Sequence, residues 1–407
     1  MSQFKTIYQY ELKKLLKRKL FWVTLLILIL CQVFTVYSGL LGSYYIDGEL
    51  ADTHYHMFLV DSAYRRALSG RVLDQELLEE TVHAYKQIVP EGNPQQFRYT
   101  ITEEYQTYAR PYSEIFNIIS AWTGMEFHEV IQWEADENTL YEARLRNLEA
   151  AWQSVHLSDA EKTYWREKED QLEIPFTYYY HEGYQFLLST AFITTGVLML
   201  LFISICLSST YSQEHTRRTD QLILSSAKGR STVYWAKIFA GSTVTAACAM
   251  LMTILIWALG LAVYGAEGFG TSMQIYAGSY SYPMTIGGAC LIAYGILILT
   301  SVLMAIFVMV LSETLHSNIG TLAISAGLII SGQIIMIPDE YRMLAQFWDC
   351  LPTNFLVVWN IYSARLVNLF GHCFTRWQVV PIAYVICGIV IAVIGKQIFQ
   401  RYQVSGR

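Results

Sequence analysis

The sequence predicts an all-α polytopic membrane protein with six transmembrane helices, cytoplasmic termini and a mostly helical extracellular domain between the first two of those helices. Of its 407 residues, 53% are apolar and 15% are charged, which is too little charge for an ordinary soluble protein of this length. Six apolar runs reach the roughly 20 residues that a helix needs to cross a bilayer. A polar stretch, residues 43–185, separates the first run from the second.

The six runs contain no Asp, Glu, Lys, Arg or His, and they occupy residues 20–41, 186–207, 238–264, 284–311, 318–337 and 379–395. A secondary transporter usually couples protons or sodium through an ionisable side chain inside the membrane. Backbone carbonyls at broken helices also bind sodium. A secondary transporter is therefore disfavoured but stays an alternative.

Residues 1–19 predict a cytoplasmic amphipathic helix ahead of the first span. Apolar side chains recur there at helical spacing and lysines take the other side, as in a helix that lies on a membrane surface. The alternative is a simple extension of the first span. Because Lys and Arg resist translocation, the five basic residues within 13–19 place the N-terminus inside, and residues 396–407 form a cytoplasmic tail.

The stretch 43–185 is long enough for a domain with its own core. It carries 26 Asp and Glu against 11 Lys and Arg, so it is an acidic domain on an otherwise basic chain. Three of its helices are predicted from caps and spacing: one with Asp74 as N-cap, one over 141–155 with Leu145 on its apolar face, and one with a capping box of Ser158 and Glu161.

Neither a catalytic site nor a metal site is predicted in this domain. His128 and Glu129 lack the second His that a zinc-protease helix needs at position 132. His54 and His56 alternate like strand residues, but two histidines without a third ligand make a weak metal site.

The external stretch 338–378 precedes the last span and contains Cys350 and Cys373, which are candidates for a disulfide if their backbones approach. The other cysteines lie in the spans and are expected to act as small apolar side chains. The stretch itself is an amphipathic segment, which as an ordinary loop would lie on the external domain.

No phosphate-binding loop of the G-x-x-x-x-G-K-[ST] type occurs in the chain, so the chain is not predicted to hydrolyse ATP itself. The polar segment 208–237 points to a partner instead. It places Leu222 and Leu224 between the charged residues Glu214, Arg230 and Lys237. A short amphipathic helix of this kind suits a shallow groove on a partner, with ion pairs that set the register; the alternative is a solvated loop whose leucines pack on its own bundle.

This segment resembles the first cytoplasmic loop of ABC-2 type transporter permeases, in which a Glu, a Gly-Thr pair, a Leu-Leu pair, a Ser-Pro turn, an Arg and a Lys recur at these intervals. Here Arg218 stands at the Gly position before Thr219, and the turn proline is absent. The resemblance implies a permease subunit that is not an enzyme and binds no cofactor. A separate cytoplasmic ABC ATPase would bind ATP and Mg, and the permease would pair with itself or with a sister permease.

The large first external loop, notably residues 68–85 and 175–183, is similar to that of a Gram-positive bacterial subgroup of these permeases. It implies a multi-pass protein of the bacterial plasma membrane, in contact with membrane lipid and with no nucleic acid. The resemblance also implies that 338–378 forms re-entrant-like helices that dip into the outer leaflet. The residues expected at the ATPase contact are Glu214, Arg217, Arg218, Thr219, Leu222, Leu224, Arg230, Lys237 and, in a short second cytoplasmic turn at 312–317, Glu313.

The predicted function is export of a peptide, a lipid-like molecule or an antimicrobial compound. A translocation path between two subunits is expected along hydroxyl-bearing faces, at Ser189, Thr190, Thr194, Thr243 and Thr245, although such residues equally serve close helix packing. The alternatives are a secondary transporter and a membrane-anchored sensor or envelope-binding protein that acts through the acidic domain. An intramembrane enzyme is disfavoured, because no nucleophile or metal constellation lies in the spans.

Overall fold

The computed structural model describes residues 2–89, 102–216, 229–338 and 340–401, and 73% of it is helical. The helices in chain order are α1 (Ser2–Leu16), α2 (Lys19–Ser38), α3 (His54–Ala67), α4 (Gln75–Lys86), α5 (Ser113–Thr123), α6 (Phe127–Val130), α7 (Glu137–Ser154), α8 (Asp159–Glu169), α9 (Glu182–Phe186), α10 (Phe192–Leu207), α11 (Ser209–Thr216), α12 (Tyr234–Tyr264), α13 (Met273–Tyr276), α14 (Ile286–Leu315), α15 (Asn318–Ile334), α16 (Arg342–Asp349), α17 (Val358–Ile361) and α18 (Arg376–Arg401).

Two small antiparallel hairpins and a few short π-helical or 3-10 turns, including Leu187–Ala191 and Gly229–Val233, complete the described elements. β1 (Ser43–Ile46) pairs with β2 (Glu49–Thr53), and β3 (Val367–Leu369) pairs with β4 (His372–Phe374). Neither hairpin extends into a larger sheet within the described residues, so helix packing builds the fold.

Within the described residues, five helical stretches are long and apolar enough to cross a membrane: Lys19–Ser38, Glu182–Glu214, Ser231–Tyr264, Ile286–Leu315 and Arg376–Arg401. The apolar helix α15 is shorter, with 17 residues. At about 1.5 Å per residue it is about 25 Å long, somewhat less than the roughly 30 Å of a hydrocarbon core. Five of the six predicted runs therefore lie in helices of spanning length, and the fifth run, 318–337, forms the shorter helix α15.

The long helices bring different segments together at the two ends of their bundle. At one end, the guanidinium of Arg18 donates to the carbonyl of Cys206 at 3.3 Å, beside the α1–α2 junction. At the other end, the hydroxyl of Tyr264 donates to the carbonyl of Val36 at 2.7 Å, next to the domain formed by residues 43–185. These are called the α1 end and the domain end below.

Much of the domain packs around a core distinct from that of the bundle, whereas Trp152 of α7 and Trp165 of α8 belong to the bundle core. The centre of the distinct core includes the fully buried side chains of Leu78, Ile115 and Leu140, with Trp122 beside them. Ile275 of α13 also belongs to this core. The loop between α12 and α14 is therefore packed into the domain and connects it to the bundle.

Two helix caps in the domain form as the sequence predicts. The carboxylate of Asp74 accepts from the N–H of Leu77 at the start of α4, and Ser158 and Glu161 form the predicted reciprocal capping box at the start of α8. The helix predicted over 141–155 is α7. Its buried face was predicted wrongly at Leu145, which is 43% exposed, because neighbouring Arg144 turns inward instead.

The strand assignment of His54 and His56 is wrong, and the candidate disulfide between Cys350 and Cys373 is not formed in the structure. His54 and His56 are not strand residues: they begin α3, where the hydroxyl of Thr53 accepts from the N–H of His56 as an N-cap. Cys350 and Cys373 are free thiols. They belong to separate elements, since Cys350 follows α16 and Cys373 lies in the β3–β4 hairpin.

The segment between α15 and α18 is anchored to the domain. The carboxylate of Glu161 accepts from the guanidinium of Arg342 at 2.6 Å and from the N–H of Leu366 at 2.8 Å. The indole of Trp165 donates to the carbonyl of Ala364 at 2.6 Å. The segment contains two short helices, α16 and α17, and these bonds hold it against α8.

Candidate functional site

Four charged side chains meet at the α1 end, where α1, α11 and α12 converge. One carboxylate oxygen of Glu214 accepts from the ammonium groups of Lys237 at 2.5 Å and Lys14 at 2.7 Å. Glu11 lies 3.5 Å from Lys237 and 3.7 Å from Lys14. We call these four residues the charge cluster; its two acids and two bases balance.

The charge cluster is largely removed from water. Lys237 is 1% exposed, and Glu11 and Glu214 are each 7% exposed. The ammonium of Lys237 also lies 5.2 Å from the centre of the Tyr211 ring, a distance at which a cation is attracted to a ring face. Buried ions are tolerated when they are paired and hydrogen-bonded, and the arrangement of the cluster satisfies that condition.

Lys14 is the cluster member nearest to solvent, with its side chain one-third exposed. Burial works to lower its pKa, but the carboxylates of Glu214 and Glu11 outweigh this effect and raise the pKa above the ordinary lysine value. Lys14 is therefore charged throughout the physiological pH range. It ties the surface of α1 to α11.

Hydroxyl groups fix the helix that carries Glu214. The hydroxyl of Ser312 on α14 donates to the carbonyl of Ser208 at 2.5 Å and accepts from the N–H of Ser212 at 3.2 Å. The hydroxyl of Ser208 donates in turn to the amide oxygen of Asn318 at 2.5 Å. The start of α11 is thus attached to α14 and α15, while its carboxylate reaches α1 and α12.

The N-terminal helix also contacts the bundle through aromatic residues. The ring of Phe4 meets Phe239 edge-on, with centroids 6.0 Å apart, and the hydroxyl of Tyr8 donates to that of Thr243 at 3.1 Å. Arg18, in the break between α1 and α2, donates to Ser209 at 2.9 Å. Contacts along its whole length therefore join α1 to α11 and α12.

The comparison with protein families matches residues 5–348 to the model described as ABC-2 family transporter protein. The match covers the charge cluster, the domain and all helices through α15. This chain belongs to the ABC-2 transporter family. No curated protein matches it significantly. Family membership makes it a multi-pass membrane permease of the ABC type, a class that works with an ABC ATPase subunit.

Two of the residues expected at the ATPase contact of the permease, Glu214 and Lys237, meet in the charge cluster. The expected residues Arg217, Arg218, Thr219, Leu222 and Leu224 lie outside the described residues. Arg230 belongs to the π-helical turn Gly229–Val233, which leads into α12; its side chain is outside the description.

The second turn at the α1 end is shorter than predicted. Residues 312–315 continue α14 instead of forming a loop, and the chain reverses at His316 and Ser317 only. His316 takes the left-handed conformation with φ 53°, and the hydroxyl of Ser317 caps α15 by accepting from the N–H of Gly320. Glu313 is therefore a fully buried helical residue and not part of an exposed turn.

The predicted path residues differ in exposure and in their contacts. Thr190 is exposed, and the Ser189 hydroxyl donates to the carbonyl of Gln185 in the π-helical turn before α10. Thr243 faces α1, whereas Thr245 is 2% exposed. Thr194, on α10, is half-buried.

Sequence reasoning missed the α1 half of the charge cluster, Glu11 and Lys14. Glu11 is the only acid in α1, and it follows Phe4 and Tyr8 at helical spacing on the side that packs against α12. A single acid in line with apolar residues was the available signal, because an acid is rarely placed on a buried face without a cation to meet it. Within the described residues, no group of three metal-ligating side chains was found.

Proposed function

We propose that the chain is the membrane subunit of an ABC exporter whose ATPase is a separate cytoplasmic protein. The α1 end would face the cytoplasm, α15 would complete a set of six spans, and the domain 43–185 would lie outside. The charge-free apolar runs and the basic residues that flank them support this orientation. ATP and Mg would bind the ATPase subunit only.

The charge cluster carries the proposal. Residues 217–228 begin directly after α11, and α11 follows α10 with only Ser208 between them. A force applied to this segment by a partner would act on Glu214, and through Lys14 and Lys237 it would act on α1 and α12 together. The spans that contain α11 and α12 would then move together with α1. Such a joint movement is required if closure of the ATPase is to move the bundle.

Leu222 and Leu224 would supply the apolar contact with the ATPase, and Arg217, Arg218, Thr219 and Arg230 would set its register. The permease would pair with itself or with a sister subunit, and the compound would pass between the two. The exported compound would be a peptide, a lipid-like molecule or an antimicrobial compound, and Ser189, Thr190, Thr194, Thr243 and Thr245 stay candidate path residues.

The test is purification of the native complex, followed by an ATPase assay in lipid nanodiscs. We expect an ABC ATPase to co-purify, and Leu222→Ala with Leu224→Ala to reduce its recovery at least tenfold. The matched control replaces two exposed leucines near the domain end, Leu41 and Leu50, and should leave recovery unchanged. Purification without any nucleotide-hydrolysing subunit, or equal recovery with both pairs of variants, would refute the proposal.

Glu214→Gln separates docking from transmission. The variant removes the charge of the buried carboxylate, while the leucine contact stays intact. We expect the ATPase to co-purify normally with the folded fraction of this variant, but we expect ATP hydrolysis and export no longer to depend on each other. Normal coupling in this variant would show that the charge cluster only stabilises the fold.

A further inference from the structure

A cavity of 160 Å³ lies where the domain, the loop before α14 and the start of α18 meet. Lys168 and Tyr164 contribute from α8 and Tyr282 from the loop, while Thr375 directly precedes α18 and Trp377 lies in its first turn. At about 30 Å³ per water molecule, it has room for about five waters or one small polar head group. We call it the Lys168 cavity.

The lining of the Lys168 cavity is rich in hydrogen-bond donors and includes no carboxylate. Lys168 makes no ion pair within the described residues; its ammonium lies 5.7 Å from the centre of the Tyr164 ring and donates to Gln171 at 3.2 Å. An ammonium has three donor hydrogens, so Lys168 keeps donor capacity for a ligand. The charge of the lining favours an anion.

Thr375 and Trp377 add donors that the protein itself leaves unused. Thr375 is 2% exposed, yet its hydroxyl has no hydrogen-bond partner in the described part of the chain. The indole nitrogen of Trp377 is also buried without a partner. Buried polar groups are nearly always satisfied, so an exception calls for a ligand or a water. Two exceptions in one cavity wall indicate a polar occupant.

The first turn of α18 also favours an anion in the cavity. The amide oxygen of Gln378 accepts from the N–H of Thr375, so the Gln378 side chain directs its acceptor to the backbone and keeps its NH₂ group for other contacts. The N-terminus of a long helix carries a partial positive charge, which favours anions. With 26 residues, α18 is such a helix.

The position of the cavity indicates where the anion comes from. α18 is one of the helices that can cross a membrane, so its first turn lies at the level of lipid head groups. The adjacent β3–β4 hairpin carries Phe370, fully exposed at its tip, and Phe374, which is 38% exposed. Exposed aromatic rings beside the start of a membrane helix are suited to the interface between lipid and water.

We propose that the Lys168 cavity binds the phosphate group of an anionic phospholipid. Lys168 supplies the counter-charge, Thr375, Trp377 and Gln378 supply hydrogen bonds, and the rings of Tyr164 and Tyr282 contact the glycerol part of the head group. Because the cavity joins the domain to α18, the bound head group bridges the two. The proposal depends on membrane insertion and not on the identity of the transported compound.

The test uses the full-length protein in nanodiscs of phosphatidylcholine with increasing phosphatidylglycerol, and native mass spectrometry counts the phosphatidylglycerol retained after transfer to neutral detergent. We expect Lys168→Gln to lower retention at least tenfold, the factor that a charge-assisted hydrogen bond supplies. Trp377→Phe keeps the ring and removes the indole donor, and we expect a loss of roughly threefold. Lys162→Gln removes the same charge from the same helix outside the cavity and should change nothing.

Equal retention by the Lys168 and Lys162 variants would overturn the proposal, because it would show that surface charge alone attracts the lipid. Trp377→Phe keeps the proposal testable if Lys168→Gln fails to fold. A second arm titrates the delipidated protein with inorganic phosphate and follows tryptophan fluorescence. Binding of free phosphate that depends on Lys168, without retention of phosphatidylglycerol, would overturn the lipid as the source of the phosphate.

Discussion

The charge balance of the cluster yields a quantitative prediction for Lys237→Met. The cluster holds two acids and two bases, and methionine fills the space of the lysine stem without its charge. The variant therefore leaves Glu11, Lys14 and Glu214 with a net charge of −1 in a buried site. At an effective dielectric constant of about 20, a contact of 2.5 Å between unit charges corresponds to about 6–7 kcal/mol of attraction, much of which offsets the desolvation of the ions.

Removing one partner of a buried ion pair typically lowers the free energy of unfolding by about 3–5 kcal/mol. We expect a loss of this size for Lys237→Met. Glu214→Gln should cost a similar amount, because it leaves one excess positive charge. The double variant restores neutrality through the remaining Glu11 and Lys14 pair. We expect it to be at least about 2 kcal/mol more stable than the sum of the single losses predicts.

The assay is unfolding in mixed micelles with increasing SDS, followed by far-UV circular dichroism at fixed lipid and detergent. Lys396→Met is the matched control, since that lysine lies at the same end of the bundle with its ammonium 5.9 Å from the Trp235 ring and without an ion pair in the described residues. Its loss should cost less than about 1 kcal/mol. Additive losses in the Lys237 and Glu214 double variant would refute the reasoning, because they would show that the two charges do not interact.

Three further variants test other parts of the structure. Hydrogen bonds from Arg342 and from backbone N–H groups outweigh burial and lower the pKa of Glu161. The carboxylate therefore stabilises the fold fully above the ordinary pKa of 4.5, and this stabilisation is lost as the pH falls below that value. Glu161→Gln should make the midpoint of thermal unfolding less sensitive to acid in this range, and an unchanged pH profile would contradict the contact. Gly183→Ala should prevent folding or lower the midpoint of thermal unfolding by many degrees, because a Cβ there would overlap a backbone carbonyl of the loop after α12, whereas Gly270→Ala meets open space and should be neutral. Asp74→Ala should cost about 1 kcal/mol by removing the N-cap of α4, and denaturant unfolding would detect it.

Short-range signals in this chain could be predicted from the sequence, because they depend on neighbouring residues alone. The Asp74 cap and the Ser158 and Glu161 capping box are of this kind. The sequence could not show that Glu161 also accepts from Arg342 and Leu366, since those groups are far away along the chain and reach it only through the tertiary fold. One residue thus begins a helix and anchors a second segment.

Apolar runs predicted the helices that can span a membrane but not where those helices end. Glu313 was assigned to a turn because it is charged, whereas the helix continues past it to Leu315. A glutamate is readily accommodated within a helix, since Glu is a good helix former. The boundary depends instead on His316, whose left-handed conformation and following Ser317 cap were not predicted.

The charge cluster explains why the N-terminal helix matters to the rest of the bundle. An amphipathic helix that lies on a bilayer needs only an apolar face and lysines, and α1 has both. It does not need an acid on the packed face, and Glu11 is 7% exposed there. A methionine or leucine would fill that position at no desolvation cost. The presence of Glu11 beside Lys237 therefore indicates that α1 is held in a fixed register on α11 and α12, and a helix fixed in this way can transmit a displacement that a freely sliding surface helix could not.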